Sequence, residues 1–213
     1  MRSEQAHRWQ RRKEERPSEI IDAALEVFVE HGYAASKLDD IASKAGVSKG
    51  SLYRYFDSKA DLFKEMVMQV VIPELEKAES AVNEYQGAMA PLIKRMIENW
   101  WQTIGETRIC GIPKLVISEA ANFPELAEFY VTNVIKRGRK LVAGMISRGV
   151  ESGEFRQVDP EYAARIMISP IMFAAIWKES LSSYDDDYDI KQFLAMKTEI
   201  FLRGISRKEE PDA

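Results

Sequence analysis

The sequence predicts an all-α protein: a three-helix head built around a helix-turn-helix, followed by a larger helical domain, about nine helices in total. Three observations carry that expectation. Apolar residues recur at i, i+3, i+4 and i+7 through most of the 213 residues, without the alternation that strands need. Caps, glycines and prolines fall where those periodic stretches begin and end. Two short apolar stripes, at residues 38–45 and 49–56, are separated only by Gly46-Val47-Ser48, which is helix-turn-helix spacing.

The first helix is expected to begin around Pro17-Ser18, where proline suits the first turn, and to stop at Gly32. Ile20, Ile21, Ala24, Leu25 and Phe28 form its core face, and His31 in its last turn is explained by the helix dipole without any catalytic role. Ser36 marks the start of the second helix, with Asp39 as its capping-box partner, and Gly46 ends it. Leu38, Ile41, Ala42 and Ala45 form a stripe too short to be stable alone. Ser48 then caps a third helix, and Val47 and Leu52 pack it back onto the second. Its outward positions, Lys49, Gly50, Ser51, Tyr53 and Arg54, offer hydrogen-bond donors and little bulk, which suits a helix entering a DNA groove. Tyr55 and Phe56 close the small core. Asp57-Ser58 cap a long fourth helix that Pro73 should kink or divide.

Beyond Gln86-Gly87 the pattern remains helical. Pro91 to Ile104 carries Leu92, Ile93, Met96, Ile97, Trp100, Trp101 and Ile104 on a wide apolar face and stops at Gly105. Further helices are expected around 113–121, from Asn122 or so to Gly149 or Gly153, from Asp159 to about Leu181, and after the acidic loop Tyr184 to Asp189. The helix after Asp159 is apolar over most of its circumference from Ile166 to Trp177, more than one domain core can cover, so a second copy is expected to bury the remainder.

Composition excludes several classes. With 46% hydrophobic and 30% charged residues the chain can fold around a sizeable core. Its longest apolar run, about 12 residues, is short of the roughly 18 needed for a membrane span. Met1 to Arg16 is polar and charged, so no signal peptide is expected, and the single Cys110 allows no internal disulfide. A cytoplasmic location follows as an expectation. The net charge of −4 is all C-terminal: residues 1–65 hold 12 basic and 12 acidic side chains, the rest 18 and 22. Arg2, Arg8, Arg11, Arg12 and Lys13 against Glu4 give the first thirteen residues a surplus of four. Such a basic arm can follow phosphates or enter a minor groove, or be a solvated tail. Trp9 within it has no explanation.

No enzyme chemistry is readable. Two histidines and one cysteine build no convincing acid-base or metal site, and no phosphate loop or nucleophile elbow is present. Asp185, Asp186, Asp187 and Asp189 lack the loop glycine and terminal glutamate of a calcium hand and read as a solvated loop with a helix cap. Neither a metal nor a cofactor is expected.

The run Ile21-x-x-Ala24-Leu25-x-x-Phe28-x-x-x-Gly32-Tyr33, then Ile41-Ala42-x-x-Ala45-Gly46-Val47-Ser48, then Leu52-Tyr53-x-Tyr55-Phe56-x-x-Lys59-x-x-Leu62 closely resembles the N-terminal domain of the TetR family of transcriptional regulators. The resemblance implies DNA contacts from Ser36 and Lys37, from Ser48, Lys49, Gly50, Ser51, Tyr53 and Arg54, and from Lys59, where the family places a phosphate-contacting lysine. Lys37 stands where such proteins often carry threonine, and it can still reach a phosphate. Ile117-Ser-Glu-Ala-x-x-Phe123-Pro-Glu125-Leu, with Gly149-Val-Glu-x-Gly-Glu-Phe155, more loosely resembles C-terminal domains of one branch of that family.

Three regions are therefore expected: a basic arm at 1–16, a DNA-binding domain at 17–64, and an effector-binding and dimerisation domain at 65–208. The implied activity is that of a homodimeric repressor, released from double-stranded operator DNA by a mostly apolar small molecule. Activation by the same fold, or a helical adaptor that binds no DNA, are the alternatives. Met96, Trp100, Trp101 and Phe123 are the candidate effector contacts. Ile166, Phe173, Trp177, Phe193 and Phe201 are the candidate dimer contacts.

Overall fold

The computed structural model describes the backbone of residues 2–184 and 188–207, and side chains from residue 17 onward within those ranges. Asp185, Asp186 and Asp187, and the side chains of the basic arm at 1–16, lie outside the described residues. Every regular element among the described residues is helical: α1 (Arg2–His31), α2 (Leu38–Lys44), α3 (Lys49–Leu52), α4 (Lys59–Val70), α5 (Ile72–Glu84), α6 (Met89–Trp100), α7 (Gly111–Glu119), α8 (Pro124–Tyr130), α9 (Lys136–Glu151), α10 (Pro160–Ser180) and α11 (Ile190–Ile205). These eleven segments make nine rods, because Val71 alone separates α4 from α5 and a π turn, Val131–Ile135, joins α8 to α9. A second π turn, Trp101–Gly105, extends α6.

Packing divides the chain into two compact units, Met1–Ile72 with Leu115–Phe129, and Pro73–Lys114 with Tyr130–Ala213. The first takes in the end of α7 and most of α8, which the linear boundary at residues 64 and 65 assigns to the C-terminal domain. Its core is the expected face of α1, with Ile20, Ala24 and Phe28 fully buried, against Ile41 of α2, Leu52 of α3 and Leu62, Phe63 and Met66 of α4. Phe28, Tyr33 and Phe63 meet at ring centroid distances of 5.5–6.0 Å, two of the three pairs edge-on.

The local signals set most boundaries. Gly32 (φ +78°) and Gly46 (φ +65°) end α1 and α2 in the left-handed region that a side chain would disfavour. Ser48 accepts the Ser51 N–H, and Ser58 the Asp61 N–H. Asp159 and Asp189 cap α10 and α11 in the same way. Pro73 divides the fourth rod one residue after α5 begins.

Two expectations fail. Helix α1 does not begin at Pro17; it runs from Arg2 with Pro17 inside it, at the cost of one backbone hydrogen bond. Ser36 does not cap α2, whose cap position is Lys37 with no side-chain bond. The Ser36 hydroxyl instead points inward, at the carbonyls of Gly32 (2.5 Å) and Val27 (3.2 Å), because those end-of-helix acceptors are buried and need a donor.

The second unit is a helical bundle. Met89, Leu92, Ile93 and Ile97 of α6 pack with Trp101, Met145, Phe155, Met167, Ile171, Leu194 and Leu202. Glu154 caps the start of α6 by accepting from the N–H groups of Met89 (2.6 Å) and Ala90 (2.8 Å). Arg148 donates to the carbonyls of Val82 and Tyr85 at the end of α5. Phe155 lies where a side chain on Gly149 would otherwise project.

Lys197 of α11 is a mostly buried cation in this unit, donating to the Met167 carbonyl of α10 at 3.1 Å. Burial lowers its pKa from 10.5 to about 8. Between those values the unfolded chain binds the proton and the folded chain does not, so this group makes stability rise with pH across the window. Below pH 8 the fold carries the full cost of the buried ammonium. Lys197→Met is accordingly expected to raise the melting temperature at pH 7 relative to the parent, with the gain shrinking to nothing by about pH 10.5. A gain that stays constant from pH 7 to 10.5 in calorimetry refutes this account.

Candidate nucleic-acid interface

Helix α3 is short, and its two faces differ. Leu52 is fully buried and fixes the helix to the core, while Lys49, Gly50, Tyr53 and Arg54 are exposed, Tyr53 at 46%. A side chain on Gly50 would meet nothing within 4 Å, so no internal packing requires glycine there. Lys49 is not a bare cation: its Nζ lies 2.8 Å from both carboxylate oxygens of Asp39 on α2. Lys37, at the start of α2, is exposed.

Two predicted contacts face inward, and a third is already engaged. Ser51 is 6% exposed and its hydroxyl is buried without a hydrogen-bond partner among the described residues, so it faces the core and not outward. Helical periodicity over four residues is too coarse to have separated Ser51 from its neighbours. Ser36 is buried as described above. Lys59, at the start of α4, donates to the carbonyls of Tyr33 (2.6 Å), Ser36 (2.9 Å) and Ala34 (3.2 Å), which uses all three of its N–H bonds. Its ammonium also sits 4.4 Å from the Tyr33 ring centroid. Burial lowers the lysine's pKa and Glu119 partly offsets that.

Sequence reasoning missed the partners of this knot. Tyr33 is buried, with its hydroxyl pKa raised to about 12 by burial and by Glu125 and Glu119. Glu119 of α7 accepts the Ala34 N–H at 3.0 Å. Phe123, a candidate effector contact, belongs here instead, its ring 4.7 Å from Tyr33 within the first unit. Eighty-five or more residues separate these partners in the chain, so no local pattern could pair them.

The other effector candidates stay together. Trp101 is buried, Met96 and Trp100 pack against the same core, and the two indoles lie 6.2 Å apart. Trp101 lies across Gly105 so closely that a side chain there would collide with the indole. It also floors an open groove of about 440 Å³ between α6 and α11, rimmed by Lys94, Glu98, Gln102, Lys191 and Glu199. Of the dimer candidates, Ile166 (64%) and Phe173 (52%) are exposed, whereas Trp177, Phe193 and Phe201 are half-buried. Among the described residues no group of three or more His, Cys, Asp or Glu is placed to hold a metal, and no helix is long and apolar enough to cross a membrane.

A helix-turn-helix head with an exposed, cation-bearing second helix, on a chain whose remainder is a separate helical bundle, defines a DNA-binding regulator. Comparison with known proteins agrees. Residues 20–66 match the model described as "Bacterial regulatory proteins, tetR family", and residues 92–204 match "AefR-like transcriptional repressor, C-terminal domain". The chain belongs to the TetR family and is a DNA-binding, ligand-responsive transcriptional regulator. It is 29% identical to the fatty acid metabolism regulator protein of Bacillus subtilis (strain 168), over 92% of this chain and all of that one. It is 27% identical to the transcriptional repressor KstR2 of Rhodococcus jostii (strain RHA1), over 86% and 90%. The crystal structure of the regulator FadR from Bacillus subtilis in complex with stearoyl-CoA has the same fold, with a TM-score of 0.69 at 23% identity, over 88% and 98% of the two chains.

Two mutations check these placements. Ser51→Ala should stabilise the protein by about 1 kcal/mol, because it removes a buried hydroxyl without a partner; destabilisation in urea titration contradicts the inward placement. Lys59→Met, which keeps the stem against Tyr33 and loses three hydrogen bonds, should cost about 2–3 kcal/mol. A variant as stable as the parent would show that the three carbonyls do not need the ammonium.

Proposed function

We propose that the chain is a homodimeric repressor that holds operator DNA through α3 and releases it on binding a small molecule with a long apolar body, an acyl thioester being the class we favour. The observation that carries the DNA assignment is the exposed set Lys49, Gly50, Tyr53 and Arg54 around a buried Leu52. Tyr53 and Arg54 are the base-edge and phosphate candidates. Lys49 must exchange Asp39 for a phosphate, Lys37 adds a further cation, and Ser48 is engaged as the α3 cap.

The effector class is supported by the relatives. One is named for fatty acid metabolism, and a FadR of the same fold was crystallised with stearoyl-CoA. Met96, Trp100 and Trp101, together with Met145, Met167 and Met172 of the same core, give that unit the adaptable side chains a long acyl chain requires.

Dimerisation is supported by the outer faces of α10 and α11. Tyr162, Ile166 and Phe173 stand exposed at i, i+4 and i+11 on α10, and Met196 and Ile200 on α11. A second copy would bury them, with half-sites about 34–36 Å apart on the operator. We assign no catalytic activity, and we read the protein as cytoplasmic.

The test begins with a duplex enriched from random DNA by the full-length protein. Arg54→Ala should weaken binding and lower the slope of log K against log salt by about one unit, with the melting temperature unchanged. If no duplex is enriched, the DNA assignment fails. Stearoyl-CoA should dissociate the complex while free CoA does not; release by neither, or equally by both, overturns the effector class. Phe173→Asp should shift sedimentation from dimer to monomer and weaken operator binding with it. A parent protein that sediments as a monomer while bound to a two-fold site refutes the dimer.

A further inference from the structure

We propose that Glu119, the last residue of α7, is a positioning residue for DNA binding: its carboxylate holds the 32–37 turn from which the helix-turn-helix departs. The inference rests on the reading of α3 as the DNA-contacting helix. Glu119 Oε1 accepts the Ala34 N–H at 3.0 Å and lies 3.4 Å from where a side chain on Gly32 would begin, so the carboxylate sits tight against the turn. An ionised acceptor on a backbone N–H is among the stronger hydrogen bonds a protein makes. Lys59 meanwhile gathers the carbonyls of Tyr33, Ala34 and Ser36. A cation from α4 thus reads the turn's acceptors, and an anion from α7 reads one of its donors. Phe123, packed on Tyr33, backs the same turn.

Helix α7 is held at its start as well. It begins in the second compact unit and ends in the first. At its start Lys114 donates to the Glu179 carbonyl of α10 at 2.6 Å, and the thiol of Cys110, just before it, points at the Ala175 carbonyl at 3.9 Å.

The full-length protein, the duplex it enriches, and the variants Glu119→Ala, Glu119→Gln and Ser118→Ala provide the test. Glu119→Ala should bind the duplex about 10-fold more weakly, the loss of one charge-assisted hydrogen bond, with faster amide exchange confined to residues 32–37. Glu119→Gln retains an oxygen that can accept the Ala34 N–H and should stay within about 3-fold of the parent. Ser118→Ala, one residue away, should change nothing. Unchanged affinity and unchanged exchange in Glu119→Ala overturn the proposal. So does acceleration spread evenly through α1 and α4 with equal losses in both Glu119 variants, which marks a general loss of stability. If the parent enriches no duplex, the DNA assignment has failed, and exchange at residues 32–37 in Glu119→Ala still decides whether the carboxylate holds the turn.

Discussion

The turn between α1 and α2 is the constraint on which the head depends. Once Gly32 ends α1 in the left-handed region, the carbonyls of Tyr33, Ala34 and Ser36 converge on one point, where a single ammonium pairs all three, two of them part-buried. Lysine answers this because its ammonium carries three donors on one atom, whereas the planar fork of arginine suits two parallel acceptors. Desolvation lowers the lysine's pKa, and the neighbouring Glu119 recovers part of that cost. The Ser36 hydroxyl satisfies carbonyls on the inner side. A small apolar core can be filled in several ways; this polar knot admits one path for the chain, and so fixes where α2 and then α3 begin.

The second unit is built on the opposite principle. Its core is rich in methionine and tryptophan, and two π turns interrupt its helices, at Trp101–Gly105 and Val131–Ile135. The first ends with the Glu106 N–H bonded to the Trp101 carbonyl at 2.8 Å, and it leaves the indole lying across Gly105. Lys178 of α10 donates to the Gly105 carbonyl at 2.6 Å, so this widened turn is tied to the helix that carries the exposed apolar face. A π turn trades ideal hydrogen bonding for an altered side-chain direction and is frequent at functional sites. Adaptable packing here and a single permitted path in the head are what a sensor and a reader respectively require.

How much of this was legible in the sequence follows from the range of each interaction. Gly46, Ser48, Ser58, Asp159 and Asp189 act on backbone groups within four residues, and their roles could be read directly. The faces of α1 and α4 were readable because several turns of periodicity average out local noise. Ser36 reads as a cap because an acidic residue, Asp39, follows three positions on; in the fold its hydroxyl turns to the carbonyls of Val27 and Gly32 instead. The three acceptors of Lys59 lie 23 to 26 residues upstream, so no local pattern announces them. Linear order places Phe123 with the effector core, and only the fold shows Leu115–Phe129 clustering with the first unit.

Charge sets what the described part of each head can offer a phosphate. Among the described residues, most of its cations are already engaged: Lys44 with Glu26 and Glu30, Lys49 with Asp39, Lys59 with the turn. Among the described residues that leaves Lys37 and Arg54 as exposed cations near α3, and a phosphate held by Lys49 costs an internal pair. In the dimer proposed above, two heads bind tightly only when both fit at once, because the second contact gains from an effective concentration that falls away when the geometry is wrong.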